Sequence, residues 1–203
     1  MNQRPKKQIM IGMIWECVDG GPDQQVCEHV VSRLAPHIRI SPSAMSGKPN
    51  LIARCGIAAK DLLEEGCERV IIVWDLASWK NPNRPICLGQ DRDEIFRSVD
   101  EAGVSRDSVH LVCVIRELEA WLLSDGRALS EVLSRPTHTV RVPDVHDAWL
   151  EKNPKRRLSK LFEKHTGHRY LDAYDAVKII RAMPDFTRVE RCGTFSRFVR
   201  AVG

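Results

Sequence analysis

Acidic side chains stand where the apolar runs of this chain stop. Glu16 follows QIMIGMIW, Asp75 follows RVIIVW, and Arg116-Glu117-Leu118-Glu119-Ala120-Trp121 follows VHLVCVI. In an open α/β sheet, ligands bind in the crevice outside the carboxyl ends of the strands. Carboxylates brought there from three separate strands repel one another, and a bound divalent cation is the usual reason to keep them. Oxygen-only ligation suits Mg²⁺ or Mn²⁺, which takes one or two carboxylates and completes its shell with substrate phosphates. The chemistry this predicts is metal-assisted cleavage of a phosphodiester.

Each acid also has a plainer reading. Glu16 follows a run of apolar residues, where an unpaired carboxylate is costly unless ligated or paired; one step beyond the strand it is simply solvated. Asp75 ends the most apolar strand, and a turn or helix-cap aspartate is its other reading. Glu117 and Glu119 share a face if the strand persists through them. If a helix begins there they diverge by about 200° and only one points inward. Lys155, Arg156, Arg157, Lys160 and Lys164 follow in a later helix, with Arg157, Lys160 and Lys164 at helical spacing. Such a face tracks phosphates or is merely solvated. The aromatics Tyr170, Tyr174, Phe195 and Phe198 read as core.

Other chemistries lack their motifs. The seven histidines show no H-x-x-x-H or H-E-x-x-H spacing, so a zinc hydrolase is not expected. There is no G-x-x-x-x-G-K-[ST] and no G-x-G-x-x-G. Seven scattered cysteines without C-x-x-C predict a reduced, cytoplasmic protein. No apolar run is long enough for a membrane span.

The elements that must position these acids follow from periodicity. Continuous apolar runs at 8–15, 69–74 and 108–115 read as buried parallel strands, and HIRI (37–40) as a short one. Helices are expected over 26–34, 50–65 (closed by Gly66) and 91–101 (stopped by Gly103). The stretches SPSAMSGKPN (41–50) and ASWKNPNRPICLGQ (77–90) read as loops, and Asp23 as a helix cap. Strands alternating with helices predict βαβ crossovers and a parallel sheet. Beyond residue 120 every segment is helical, which suggests an α/β domain over 1–125 and a helical extension over 126–203. Residues 151–203 hold thirteen Lys and Arg against six Asp and Glu, a net +7, leaving −3 for the first 150 of a chain whose total is +4. An acidic sheet joined to a basic helical tail suits a metal site beside a phosphate-gripping surface.

The strand-end Glu16, the Asp75 of VIIVWD, the motif RELEAWLLSD (116–125) and the pattern NPKRRLSKLF…Y…TFSRFV resemble Toprim-like proteins, and more closely the DUF4276 family. The resemblance implies a Toprim-like α/β fold whose acids bind Mg²⁺ or Mn²⁺. It also implies nuclease activity, on DNA rather than RNA, in anti-phage or abortive-infection systems with an ABC- or AAA-type ATPase partner. Carried over, Glu16 matches the first-strand glutamate, Asp75 the first aspartate of D-x-D, and Glu117 and Glu119 the E-x-E-A-W motif. Two places depart from the pattern. Ala77 stands where the second aspartate belongs, leaving Glu117, Glu119, Asp91 or Asp93 to replace it. Pro22-Asp23 falls several residues late. The resemblance thus implies catalytic and metal roles for Glu16, Asp75, Glu117 and Glu119, with Lys155, Arg157, Lys160 and Lys164 on nucleic acid. A non-catalytic subunit docking to an ATPase is the rival expectation, and a PIN-like ribonuclease the second enzyme reading.

Overall fold

A computed structural model describes residues 8–76, 88–115 and 117–203. Four parallel strands form one open sheet in the order β2-β1-β3-β4: β1 (Ile9–Trp15), β2 (Ile38–Ala44), β3 (Val70–Asp75) and β4 (Val109–Val114). Among the described residues eight α-helices accompany it. These are α1 (Pro22–Leu34), α2 (Lys48–Glu64), α3 (Leu88–Glu101), α4 (Glu119–Leu123), α5 (Gly126–Leu133), α6 (Pro154–Thr166), α7 (Val177–Ala182) and α8 (Gly193–Val202). The all-parallel sheet flanked by helices agrees with the expected α/β class and is consistent with a Toprim-like fold.

Alternation along the strands divides the interior into two cores. Ile11, Met13 and Trp15 of β1, Ile71 and Val73 of β3, and Val112 and Val114 of β4 face α1 and the helices from α4 onward. Ile14, Val70, Ile72, Trp74, Val109 and Cys113 face α2 and α3. Both faces of a βαβ sheet are covered, which is why the strands read as unbroken apolar runs. Gly56 lets α2 reach α3: a Cβ there would stand 1.9 Å from the Ser98 carbonyl oxygen, and its N–H donates to Ser98 Oγ at 3.1 Å.

The chain leaves β1 for β2 on one side and then crosses back past β1 to β3, so the winding reverses between β1 and β3. That reversal opens a crevice at the carboxyl ends of these two strands. Glu16 and Asp75 stand there.

Two expectations need correction. Residues 41–44 are strand rather than loop, and Met45, Ser46 and Gly47 continue alongside β1, donating to the carbonyls of Trp15, Cys17 and Glu16. Pro42 is tolerated because β2 is an edge strand, where a missing N–H breaks no ladder on the outer side. Helix α2 accordingly begins at Lys48, two residues earlier than the periodicity suggests. The loop reading of 77–90 falls largely outside the described residues, but Leu88–Gln90 already belong to α3. No helix among the described residues is long and apolar enough to cross a membrane.

Candidate functional site

Backbone pairing fixes the first two acids. The Glu16 N–H donates to the Val73 carbonyl at 3.3 Å, and Glu16 Oε2 accepts from the Asp75 N–H at 3.3 Å. Asp75 continues the alternation of Ile71 and Val73, so its side chain leans toward α1 and α4 rather than toward α2 and α3. The loop after Glu16 returns through Gly21, whose N–H reaches the Val18 carbonyl at 2.9 Å. Helix α1 then starts at Pro22, the position where a missing N–H costs least. Gly21 is the N-cap, so Asp23 is not the cap expected from sequence. It sits inside the first turn, where the helix dipole favours an anion and the crevice receives its carboxyl.

Helix α4 delivers the next acid. It begins at Glu119, so Glu117 and Glu119 diverge. Glu119 is the buried one, at 7 % exposure. Trp121 holds this helix in place: its indole N–H donates to Thr194 Oγ1 at 2.8 Å, and its ring packs edge-on against Phe195 of α8. Glu117 turns the other way and accepts from the Lys155 N–H at 3.1 Å, capping the start of α6.

Burial, with mutual repulsion adding to it, raises the proton affinity of these carboxyls. Asp75 is pushed well above the usual carboxylate range, first by burial and then by Asp23, Glu119, Glu16 and Glu117. Burial, then Glu16, pushes Asp23 up to about 6, against the pull of Lys155. Burial pushes Glu119 up to about 7, again against Lys155. Burial opposes the charge on Lys155 itself, but its ion pair with Asp172 and the nearby Glu119 hold it firmly cationic. Tyr170 closes the floor. Its hydroxyl is buried, and burial followed by the Glu119 charge raises its pKa.

A divalent cation suits this donor set in chemistry. The donors are all carboxylate oxygens, and burial, with neighbouring carboxylates adding to it, raises the proton affinity of Asp23, Asp75 and Glu119. Among the described residues, however, no three Asp, Glu, His or Cys side chains are already arranged to hold a metal ion. An ion would have to draw the carboxylates inward. Asp91 is a different case: it is buried in the first turn of α3 with Lys48 Nζ at 3.0 Å.

Next to the acids, a groove of about 560 Å³ runs along α6, lined by Glu117, Lys155, Arg156, Ser159, Lys160 and Arg169 among others. Lys155 and Lys160 both line it. Arg157 and Lys164 lie on the neighbouring face, where Arg157 pairs with Glu151 at 2.9 Å. Sequence reasoning missed Asp23 as a member of the cluster, and missed Asp172 and Tyr170 as its neighbours. For Asp23 a signal existed in the late Pro-Asp pair; for the other two only the chain reversal after α6 brings them in. Tyr170, Phe195 and Phe198 are core, but Tyr174 is exposed, contrary to its reading as core.

A family described as a domain of unknown function, DUF4276, matches residues 24–203, a span that includes Asp75, Glu117, Glu119 and the whole of the groove. Glu16 and Asp23 precede it. No curated protein and no solved structure matches the chain. The chain belongs to the DUF4276 family.

Proposed function

We propose that this DUF4276 member hydrolyses nucleic-acid phosphodiesters with Mg²⁺ or Mn²⁺. Glu16, Asp23 and Asp75, with Glu119 or Glu117, would hold the cation. The observation that carries the reading is a placement: Glu16 and Asp75 stand at the carboxyl ends of β1 and β3, at the switch point of a parallel sheet. There Glu16 Oε2 accepts from the Asp75 N–H at 3.3 Å, and burial, then the charges of Asp23, Glu119, Glu16 and Glu117, push the Asp75 pKa upward. When bound, the ion supplies Lewis-acid polarisation of a phosphoryl oxygen and a water acidic enough to attack.

The chain's own residues do the rest. Lys155 keeps an ammonium beside the carboxylates, so a phosphate placed among them meets positive charge. Arg156 and Lys160 hold neighbouring phosphates in register without reading bases. Where Glu117 rather than Glu119 takes the cation, the buried Glu119 is placed to hold the proton that a leaving oxygen needs. The family resemblance extends the proposal to DNA as substrate, to an ABC- or AAA-type ATPase as partner in anti-phage defence, and to the cytoplasm as compartment.

Plasmid nicking in Mg²⁺ or Mn²⁺ tests the reading. Activity is expected, abolished by chelation and lowered about a hundredfold or more by Asp75→Ala. Activity that survives Asp75→Ala would remove the site from this place. A second reading, a non-catalytic subunit docking to the ATPase, is favoured by Ala77 in place of the second aspartate. Inactivity with both metals, alone and with the ATPase present, would decide for it.

A further inference from the structure

The segment 169–175 joins the acids to the groove and carries two apolar side chains that the fold leaves in solvent. Tyr174 is 68 % exposed and Leu171 55 %. Arg169, two residues before Leu171, lines the groove with Lys155, Arg156 and Lys160 and pairs there with Glu163 at 3.0 Å, and Asp172 takes the Lys155 ammonium.

The segment is firmly built. Residues 172–176 form a single π-helical turn, a rare geometry that recurs at functional sites. The Tyr174 N–H donates to the Leu171 carbonyl at 3.0 Å. The buried Asp175 accepts from the Leu171 N–H at 2.8 Å and from Lys178 Nζ at 3.1 Å. Packing does not account for the Tyr174 ring, since the neighbouring Tyr170 is the tyrosine that fills the core.

A cationic groove tracking phosphates beside an exposed aromatic face is the combination that binds single strands. A duplex keeps its bases stacked on one another and offers no free face to such a ring. We infer that this protein takes single-stranded nucleic acid, with one base stacked on Tyr174 and the flanking phosphates on Arg156 and Lys160. The inference rests on the phosphodiester reading for its substrate class and adds strandedness and the residue that selects it.

Binding of labelled oligothymidylate, oligouridylate and a short mixed-sequence duplex to the full chain, followed by fluorescence anisotropy in EDTA, tests it without cleavage. Single strands are expected to bind about tenfold tighter than duplex. Tyr174→Ala should weaken single-strand binding about tenfold, while Tyr174→Phe and Tyr174→Trp preserve it and duplex binding stays unchanged in all three. The two single strands distinguish DNA from RNA. Equal loss on duplex, no loss in Tyr174→Ala, or tighter duplex binding would overturn the inference. Tyr174-dependent binding without any metal-dependent cleavage would instead uphold the platform and defeat the hydrolytic reading. Asp75-dependent cleavage with binding indifferent to Tyr174 would do the reverse.

Discussion

Two acid-rich regions of this molecule treat their carboxylates in opposite ways. Around α5, the aspartates are paired with arginines, Asp125 and Asp185 with Arg127 and Asp144 with Arg188. Asp125, fully buried, accepts from the Arg127 and Ala128 N–H groups and from both Nε and Nη2 of Arg127. Asp185 takes the remaining face of that guanidinium, which holds its carboxyl below the ordinary range. Burial presses Asp144 the other way, but Arg188 and the Gly126 N–H keep its pKa low. At the sheet crevice the direction is reversed. Asp23, Asp75 and Glu119 all rise, and among the described residues Lys155 is the cation that opposes the rise of Asp23 and Glu119. Where this chain uses acids to build structure, it pairs them. At the crevice, burial comes first in raising Asp23, Asp75 and Glu119, with neighbouring carboxylates adding to it, which suits a site for a ligand more than a structural pairing.

The sharpest way to break that contrast is Asp75→Asn. Nicking should fall about a hundredfold or more, yet the metal-free protein should melt higher than the parent, because a neutral amide replaces a buried carboxyl whose ionisation burial and neighbouring acids oppose. A lower melting temperature would mean that Asp75 is structurally paired after all. On the paired side, Arg127→Ala should cost about 2 kcal/mol in urea unfolding, a value below that for a fully buried pair because the guanidinium is over a third exposed. A change under about 0.5 kcal/mol, the range of ordinary surface substitutions, would show that Asp125 is sustained by backbone donors alone.

Acidity separates the regions as well. Asp23 and Glu119 bind protons more tightly in the fold, with pKa values near 6 and 7 against ordinary values of 3.8 and 4.5. Between those limits the folded state holds more protons than the unfolded, so stability falls as pH rises from about 4 to about 7. Asp144 and Asp185 have lowered values, and their contribution is lost below about 4. Thermal melts without metal should therefore peak in mild acid, and Mg²⁺ or Mn²⁺ should recover the loss at neutral pH. A profile still flat without metal would contradict the raised values. The smallest effect is expected at Glu117. Replacing it by Ala removes a helix cap and should cost about 1 kcal/mol, whereas Gln keeps an acceptor for the Lys155 N–H and should cost less; equal losses by denaturant titration would mean that its charge, not the cap, matters.

Much of the frame was readable from periodicity. Three strands read as unbroken apolar runs because both faces of the sheet are covered, and their carboxyl ends identified Glu16 and Asp75. The meeting of those two follows from strand order, which parallel pairing and crossover rules constrain. Other parts depended on information that a linear pattern does not carry. Asp23 resembles any cap residue, and only the length of the preceding loop decides whether it stands at or inside the helix start. Glu117 and Glu119 could not be separated without knowing where α4 begins, which tertiary packing of Trp121 determines. Proline made 41–44 look like loop, since its compatibility with a strand depends on that strand being at the edge. Tyr174 has apolar neighbours at helical spacing, but the turn there is π-helical, which rotates the ring outward relative to an α-helical register.

Lys155 belongs to both halves of the proposed apparatus: its backbone N–H is held by Glu117, and its side chain sits with Asp172 on the border between carboxylates and groove. Neither half can be filled without changing the charge that the other half feels. A cation among the acids frees positive potential for the groove, and a polyanion in the groove restores room for a cation. By linkage, each ligand should then tighten the other's binding by the same factor, which would leave the protein poorly loaded with either one alone.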